Sequence, residues 1–257
     1  MVHSSLDIDR ILRETFVTRA QHHPTLTSTN DRAARLADEA SGPLPLLVVA
    51  DRQTAGRGRG ANRWWTGPGS LAMSLLLEPQ TVAADRRRTP LVALAAAVAV
   101  AETVRPRLPN HTVGIRWPND VWAGGGKLAG VLVEVLSDGR TVVGIGVNTN
   151  NSLADAPTEL RHTAVTLRDL SGRSHNQTLF LLELLKSLEG GLALLKSDPG
   201  RVAARANRLC LQHGETLTLR QGDRSVTGRC RGIAEDGALG LDTPAGPRCI
   251  YSGELVP

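Results

Sequence analysis

Cysteine is scarce. The 257 residues contain three, Cys210, Cys230 and Cys249, all in the last fifth of the chain and without C-x-x-C spacing. An odd, clustered set of this kind gives no disulfide framework and points to a reducing, cytoplasmic setting. Aromatic residues are 3% of the chain, too few to furnish the stacking surfaces of a single-strand nucleic-acid binder. The seven histidines include no H-E-x-x-H or comparable spacing, so no permanent metal site is expected. No apolar run reaches the length of a membrane span. The longest, Leu91 to Val104, is alanine-rich, follows a Thr89-Pro90 helix start and reads as a buried helix, so no membrane association is expected. Met1 to Arg13 lacks the apolar segment of a signal peptide, since Asp7, Asp9 and Arg10 interrupt it.

What is present describes an ordinary globular chain: 41% hydrophobic and 21% charged residues, long enough for one catalytic domain and a small appended one. A net charge of +5 points to an acidic partner. Nucleic acid is one candidate, but no helix-turn-helix or RNA-binding signature accompanies the charge, leaving an acidic protein as the other. The elements alternate, as in an α/β (α+β) chain. Helices are expected near Leu6 to Phe16, Asp31 to Ala40, Leu91 to Val104, Gln177 to Lys196 and Gly200 to Leu209. Strands are expected at Leu46 to Ala50, Leu71 to Leu77, Val113 to Trp117, Leu128 to Val135 and Thr141 to Val147. After Leu209 come short alternating strands, Thr216 to Arg220, Ser225 to Gly232, Ala238 to Asp242 and Arg248 to Tyr251, separated by Gly-Asp and Asp-Gly turns. They predict a small β-barrel, and place a boundary between residues 1–208 and 209–257.

Two segments carry the chemistry. Arg116-Trp117-Pro118-Asn119-Asp120 leads through a glycine hairpin to Lys127-Leu128-Ala129-Gly130, which places a carboxylate and an ammonium at its two ends. Lysine there is a point charge suited to an anion that forms or moves in a pocket. Gly56-Arg57-Gly58-Arg59-Gly60-Ala61 fits G-x-G-x-x-A after a strand, but Trp64-Trp65-Thr66-Gly67-Pro68-Gly69 follows and cannot continue the helix that a dinucleotide fingerprint opens. Gly124-Gly125-Gly126-Lys127 is no P-loop either, since Val121 and Leu128 occupy its first glycine and its Ser/Thr positions. What remains is a loop whose glycines allow close backbone approach and whose arginines can fold onto phosphate. Taken alone it reads more readily as a solvated basic turn, just as Ser28-Thr29-Asn30 alone reads as a helix cap.

Together, these segments, with Ser28-Thr29-Asn30 before them and Gly144-Ile145-Gly146-Val147-Asn148 after them, resemble the biotin protein ligases in order and spacing. The resemblance implies a mixed-sheet catalytic domain followed by an SH3-like barrel. It implies that Ser28, Thr29, Asn30 and Gln53 hold biotin, whose ureido ring needs both donors and acceptors, and that Gly130, Leu132, Gly144 and Gly146 form the wall beneath it. Arg57, Gly58 and Arg59 match the adenylate loop, which contacts biotin as well, with Arg59 holding the mixed anhydride. Trp64 matches the position covering adenine, and Arg116, Asn119 and Asn148 lie on the nucleotide side. Lys127 matches the catalytic lysine and serves both ligands. Asp120 matches an aspartate beside the incoming acceptor amine.

The implied reaction joins biotin and MgATP as biotinyl-5′-AMP, then passes the acyl group to a lysine of an acidic biotin carboxyl carrier domain, such as that of acetyl-CoA carboxylase. Magnesium comes with ATP. Larger relatives add an N-terminal repressor domain, and without one no DNA binding is expected; a homodimer is left open. Arg116 stands where lysine is common, exchanging a point charge for a planar fork. The alternatives are a lipoate or octanoate ligase or transferase of the same fold and, from another class, a nucleic-acid-binding protein using the arginine loop on phosphates.

Overall fold

The computed structural model describes residues 6–39, 42–79 and 89–256. A seven-stranded mixed sheet runs in the order β1-β2-β3-β7-β6-β5-β4. Its strands are β1 (Arg19–Leu26), β2 (Leu46–Gln53), β3 (Leu71–Leu77), β4 (Val113–Arg116), β5 (Asp120–Ala123), β6 (Gly126–Val135) and β7 (Thr141–Val147). Only β1 and β2 pair in parallel. Strand β1 was not expected: Arg19-Ala-Gln-His-His-Pro-Thr-Leu has neither an apolar run nor an apolar alternation, and it is an edge strand with no fully buried residue. Helix α1 (Ile8–Glu14) precedes it. Helix α2 (Thr29–Glu39) starts two residues before the expected point, with Ser28 Oγ accepting from Asp31 N, and its expected end at Ala40 lies outside the described residues.

Helix α3 (Thr89–Val104) is buried along nearly its whole length against β6, α6 (Gln177–Ser197) and α7 (Pro199–Arg208). With the turn Arg105–Arg107 it does reach the length and composition of a membrane span, contrary to expectation. Its packing is that of a core helix, because alanine on several faces lets two helices and the sheet approach together. Short helices α4 (Thr158–Arg161) and α5 (Leu167–Ser171) lie in the stretch that follows β7.

The C-terminal unit corrects the barrel expectation. Strands β8 (Thr216–Gln221), β9 (Arg224–Ile233), β10 (Leu239–Thr243), β11 (Gly246–Ile250) and β12 (Glu254–Val256) form a five-stranded antiparallel sheet in the order β11-β10-β9-β8-β12. Its two edges, β11 and β12, do not pair with each other, so no barrel closes. Strand β12 was not foreseen; it has three residues and no pattern of its own. The sheet is fastened to the large one through the segment after α7. Ile115 N donates to Leu209 O at 2.7 Å, and Leu211 N donates to Ile115 O at 3.0 Å, which covers the β4 edge. Trp117 is fully buried at the seam, its Nε1 donating to Gly237 O at 2.9 Å while its backbone N donates to Gln212 Oε1 at 2.6 Å.

Candidate functional site

The catalytic-looking hairpin turns on Gly124 and Gly125, whose φ of 54° and 87° only glycine adopts readily. The β5–β6 register then slips: Trp122 faces Lys127, but Val121 faces Ala129 and Asp120 faces Gly130. That bulge brings Lys127 and Gly130, three residues apart, to one face together with Asp120. The lysine backbone is clamped from outside the hairpin, Lys127 N donating to Thr163 O at 2.8 Å and Val165 N donating to Lys127 O at 3.0 Å.

This face opens on a cavity of about 980 Å³. Every residue singled out from the sequence lines it except Asn148, which is buried beside it with Oδ1 accepting from Asn151 Nδ2 at 3.4 Å. One end is a polar pocket. Gln53 Oε1 accepts from Thr29 N at 2.7 Å and lies 3.1 Å from Thr29 Oγ1. Ser74 Oγ donates to Asn30 Oδ1 at 2.6 Å, with Thr29 Oγ1 2.7 Å away. Asn30 Nδ2 donates to Glu134 Oε2 at 2.7 Å. Ser28, Thr29, Asn30 and Ser74 are all buried, so each hydrogen bond acts with little competition from water.

The glycine wall also carries two side chains of this chain. A Cβ on Gly144 would stand 2.0 Å from Asn30 Oδ1, and one on Gly146 2.3 Å from Trp64 Cε2. Asn30 and Trp64 therefore lie directly on the sheet, and glycine is what admits them. Trp64 Nε1 is buried there without a hydrogen-bond partner.

The other end is cationic. Lys127 Nζ lies 2.7 Å from Asp120 Oδ2 and 5.9 Å from the centroid of the Trp64 ring. Arg116 lies over the Trp122 ring at 4.4 Å, where its guanidinium adds a planar face to the attraction that any cation has for the ring. Arg59 is half-buried, and burial lowers its pKa despite the opposing pull of Asp120 and Glu254. Arg57 points away to Glu134 and Asp31. Among the described residues no cluster of three or more His, Cys, Asp or Glu side chains is placed to hold a metal ion.

Several residues of the site escaped the sequence reading. Ser74 is a lone hydroxyl in the apolar strand Leu71-Ala-Met-Ser-Leu-Leu-Leu, a signal open to reading. Arg220, Gln221 and Ser252 to Val256, from β8, β12 and the turn before it, form the far wall of the cavity. Nothing local marks them, because their role follows from where the small sheet docks.

Comparison with known proteins gives the chain its family. Residues 23–150 match the Biotin/lipoate A/B protein ligase family and residues 213–256 match the Biotin protein ligase C terminal domain. The chain is 32% identical to the biotin–[acetyl-CoA-carboxylase] ligase of Mycobacterium tuberculosis, over 89% of this chain and 85% of that protein. It is 31% identical to the bifunctional ligase/repressor BirA of Bacillus subtilis, over 91% of this chain and 72% of the relative. The solved structure of a biotin protein ligase from Aquifex aeolicus in complex with biotin and ATP superposes with a TM-score of 0.81 at 29% identity, covering 93% of this chain and 98% of that one.

Proposed function

The chain belongs to the biotin/lipoate A/B protein ligase family, and from that premise we propose how its residues carry out ATP-dependent attachment of biotin to a carboxylase carrier domain. The observation that carries the reading is one cavity with a buried amide–hydroxyl pocket at one end and Lys127, Arg59 and Arg116 at the other. A bicyclic urea fits the first end, because it presents a carbonyl and two N–H groups. An acyl phosphate fits the second.

In the first half-reaction a biotin carboxylate oxygen attacks the α-phosphorus of ATP and pyrophosphate leaves. Lys127 draws the two anions together and offsets charge as it builds between them. Magnesium accompanies the ATP polyphosphate and neutralises part of its charge. Arg59 lies over the mixed anhydride and helps exclude water from it. Trp64 leaves its place on the glycine wall and covers adenine, with Arg116 and Asn119 on the phosphate side. In the second half-reaction an acceptor lysine amine attacks the acyl carbon, the amide forms and AMP leaves. Asp120, beside Lys127, orients that amine and takes its proton.

We place the division between the catalytic and C-terminal units at residues 208 and 209, where α7 gives way to the small sheet. The excess positive charge supports an acidic carrier surface, as a steering effect on encounter. Three free thiols fit a cytoplasmic enzyme. Direct DNA binding is no part of the proposal, and a homodimer is left open.

Pyrophosphate–ATP exchange with magnesium tests the reading, with biotin, lipoate and octanoate compared as the stimulating acid. Exchange with biotin alone is expected. Exchange with lipoate or octanoate instead would transfer the activity to the sister branch of the family.

A further inference from the structure

We propose that Glu134 is a positioning residue that latches the arginine loop to the biotin pocket through Arg57; the assignment rests on the ligase reading above. Apart from the Trp64 ring, which rests on the sheet at Gly146, the loop's backbone hydrogen bonds close on the loop itself. Gly58 N donates to Asn62 O at 2.8 Å, Asn62 N to Arg59 O at 3.1 Å and Trp64 N to Gly56 O at 2.9 Å. Among the described residues from Gly56 to Trp64, Arg57 is the one that forms ion pairs, and both its partners lie outside the loop.

The Glu134 carboxylate is shared. Its Oε1 accepts from Arg57 Nη1 at 2.8 Å, while its Oε2 accepts from Arg57 Nη2 at 2.6 Å and from Asn30 Nδ2 at 2.7 Å. A single side chain on β6 thus joins the loop to the amide of the polar pocket, and through Asn30 Oδ1 to the buried Ser74. Asp31, the next residue on α2, completes the cage with an oxygen 2.8 Å from Arg57 Nη2.

Charge fixes what Arg57 does. One guanidinium between two carboxylates leaves that corner with a net charge of −1, which repels a phosphate. Arg57 was expected to contact the adenylate through its side chain, together with Arg59. The geometry instead divides the work: Arg57 anchors the loop, while Arg59, which lines the cavity and has no ion pair of its own among the described residues, stays available to an anion. Two parallel charge-assisted hydrogen bonds fix the direction of approach as well as the distance. Because Asn30 and Arg57 share one carboxylate, anything that reorients the Asn30 amide changes the hold on the loop.

The test is the rate at which adenylate, formed on the enzyme from biotin and MgATP, is released into a chase of unlabelled biotin. Glu134→Gln keeps the shape and removes the charge, and it should accelerate release about tenfold, the low end for a charge-assisted pair that is partly exposed. The maximal exchange rate should change less than the release rate. Glu134→Asp, which keeps the charge on a shorter arm, should fall between. Arg57→Gln combined with Glu134→Gln should release no faster than the faster single variant, since both break one link. Release from Glu134→Gln at the wild-type rate, or effects of the two substitutions that multiply, would overturn the latch. If the wild-type chain forms no adenylate with biotin, the ligase reading fails and trypsin decides the latch separately. Cleavage after Arg59 and Arg63 should be several-fold faster in Glu134→Gln than in wild type, and equal cleavage would overturn it.

Discussion

Lys127 Nζ sits 2.7 Å from Asp120 Oδ2, across the β5–β6 hairpin, with Gly130 leaving room between them. Both side chains line the cavity, so an ammonium and a carboxylate face it together. In the proposed reaction both halves draw on this one ion pair.

Removing the lysine isolates the first half. Lys127→Ala should lower biotin-dependent pyrophosphate exchange by about 10²–10³-fold, the range for loss of one preorganised charge at a developing anion. Thermal unfolding should be near wild type, because the side chain is about one-third exposed and its backbone clamp to Thr163 and Val165 survives. Undiminished exchange would remove Lys127 from the mechanism.

The aspartate isolates the second half. Asp120→Asn should retain biotin-dependent exchange yet slow transfer from the adenylate to an acceptor lysine by about 10²-fold or more. Single-turnover transfer to a carrier domain, started from preformed adenylate, separates the two. Equal loss in exchange and transfer would mean that Asp120 serves only to hold Lys127.

A pH effect on stability follows from the partial burial of one histidine. His175 lies against Ser171, with Nε2 2.8 Å from Ser171 Oγ, and its backbone exchanges hydrogen bonds with the side chain of Asn150. Burial, then Arg107 and Arg173, lower its pKa. Unfolded histidine binds its proton near pH 6.5, about where the model peptide does, so protonation favours the unfolded chain. This contribution to stability is complete above that pH and is lost as pH falls through the depressed folded value. The unfolding midpoint should fall between pH 7 and pH 5, less steeply in His175→Gln; identical slopes for the two proteins would exclude the histidine.

How much of this was legible depends on where the information is local. Buried strands such as Leu71–Leu77 and the alanine helix declare themselves through composition, and the glycine hairpin through its turn residues. The cavity-lining blocks were legible because their chemistry is concentrated in short runs. Strand β1 was not, since an edge strand with polar residues has no pattern that distinguishes it from a loop. Glu134 was visible as a residue but not as a partner: its role depends on Arg57 and Asn30, more than 70 residues away in the chain. Asn148 went the other way, reading as a ligand contact while falling outside the residues that line the cavity.

The glycine wall makes the sharpest packing prediction. At Gly144 an added methyl group would fall 2.0 Å from Asn30 Oδ1, a separation no relaxed pair of atoms sustains. Asn30 cannot give way freely, because Ser74 and Glu134 hold the two ends of its amide. Gly144→Ala should therefore cost about 1–3 kcal/mol of stability, as overpacking in a tight core does, and should weaken biotin binding by displacing that amide. At Gly130 the same methyl group meets its nearest atom at 3.3 Å, so Gly130→Ala should be tolerated better. Calorimetric titration with biotin and thermal unfolding of both variants give the comparison. If Gly144→Ala binds biotin and unfolds like wild type while Gly130→Ala does not, the Ser74–Asn30–Glu134 link does not shape the pocket.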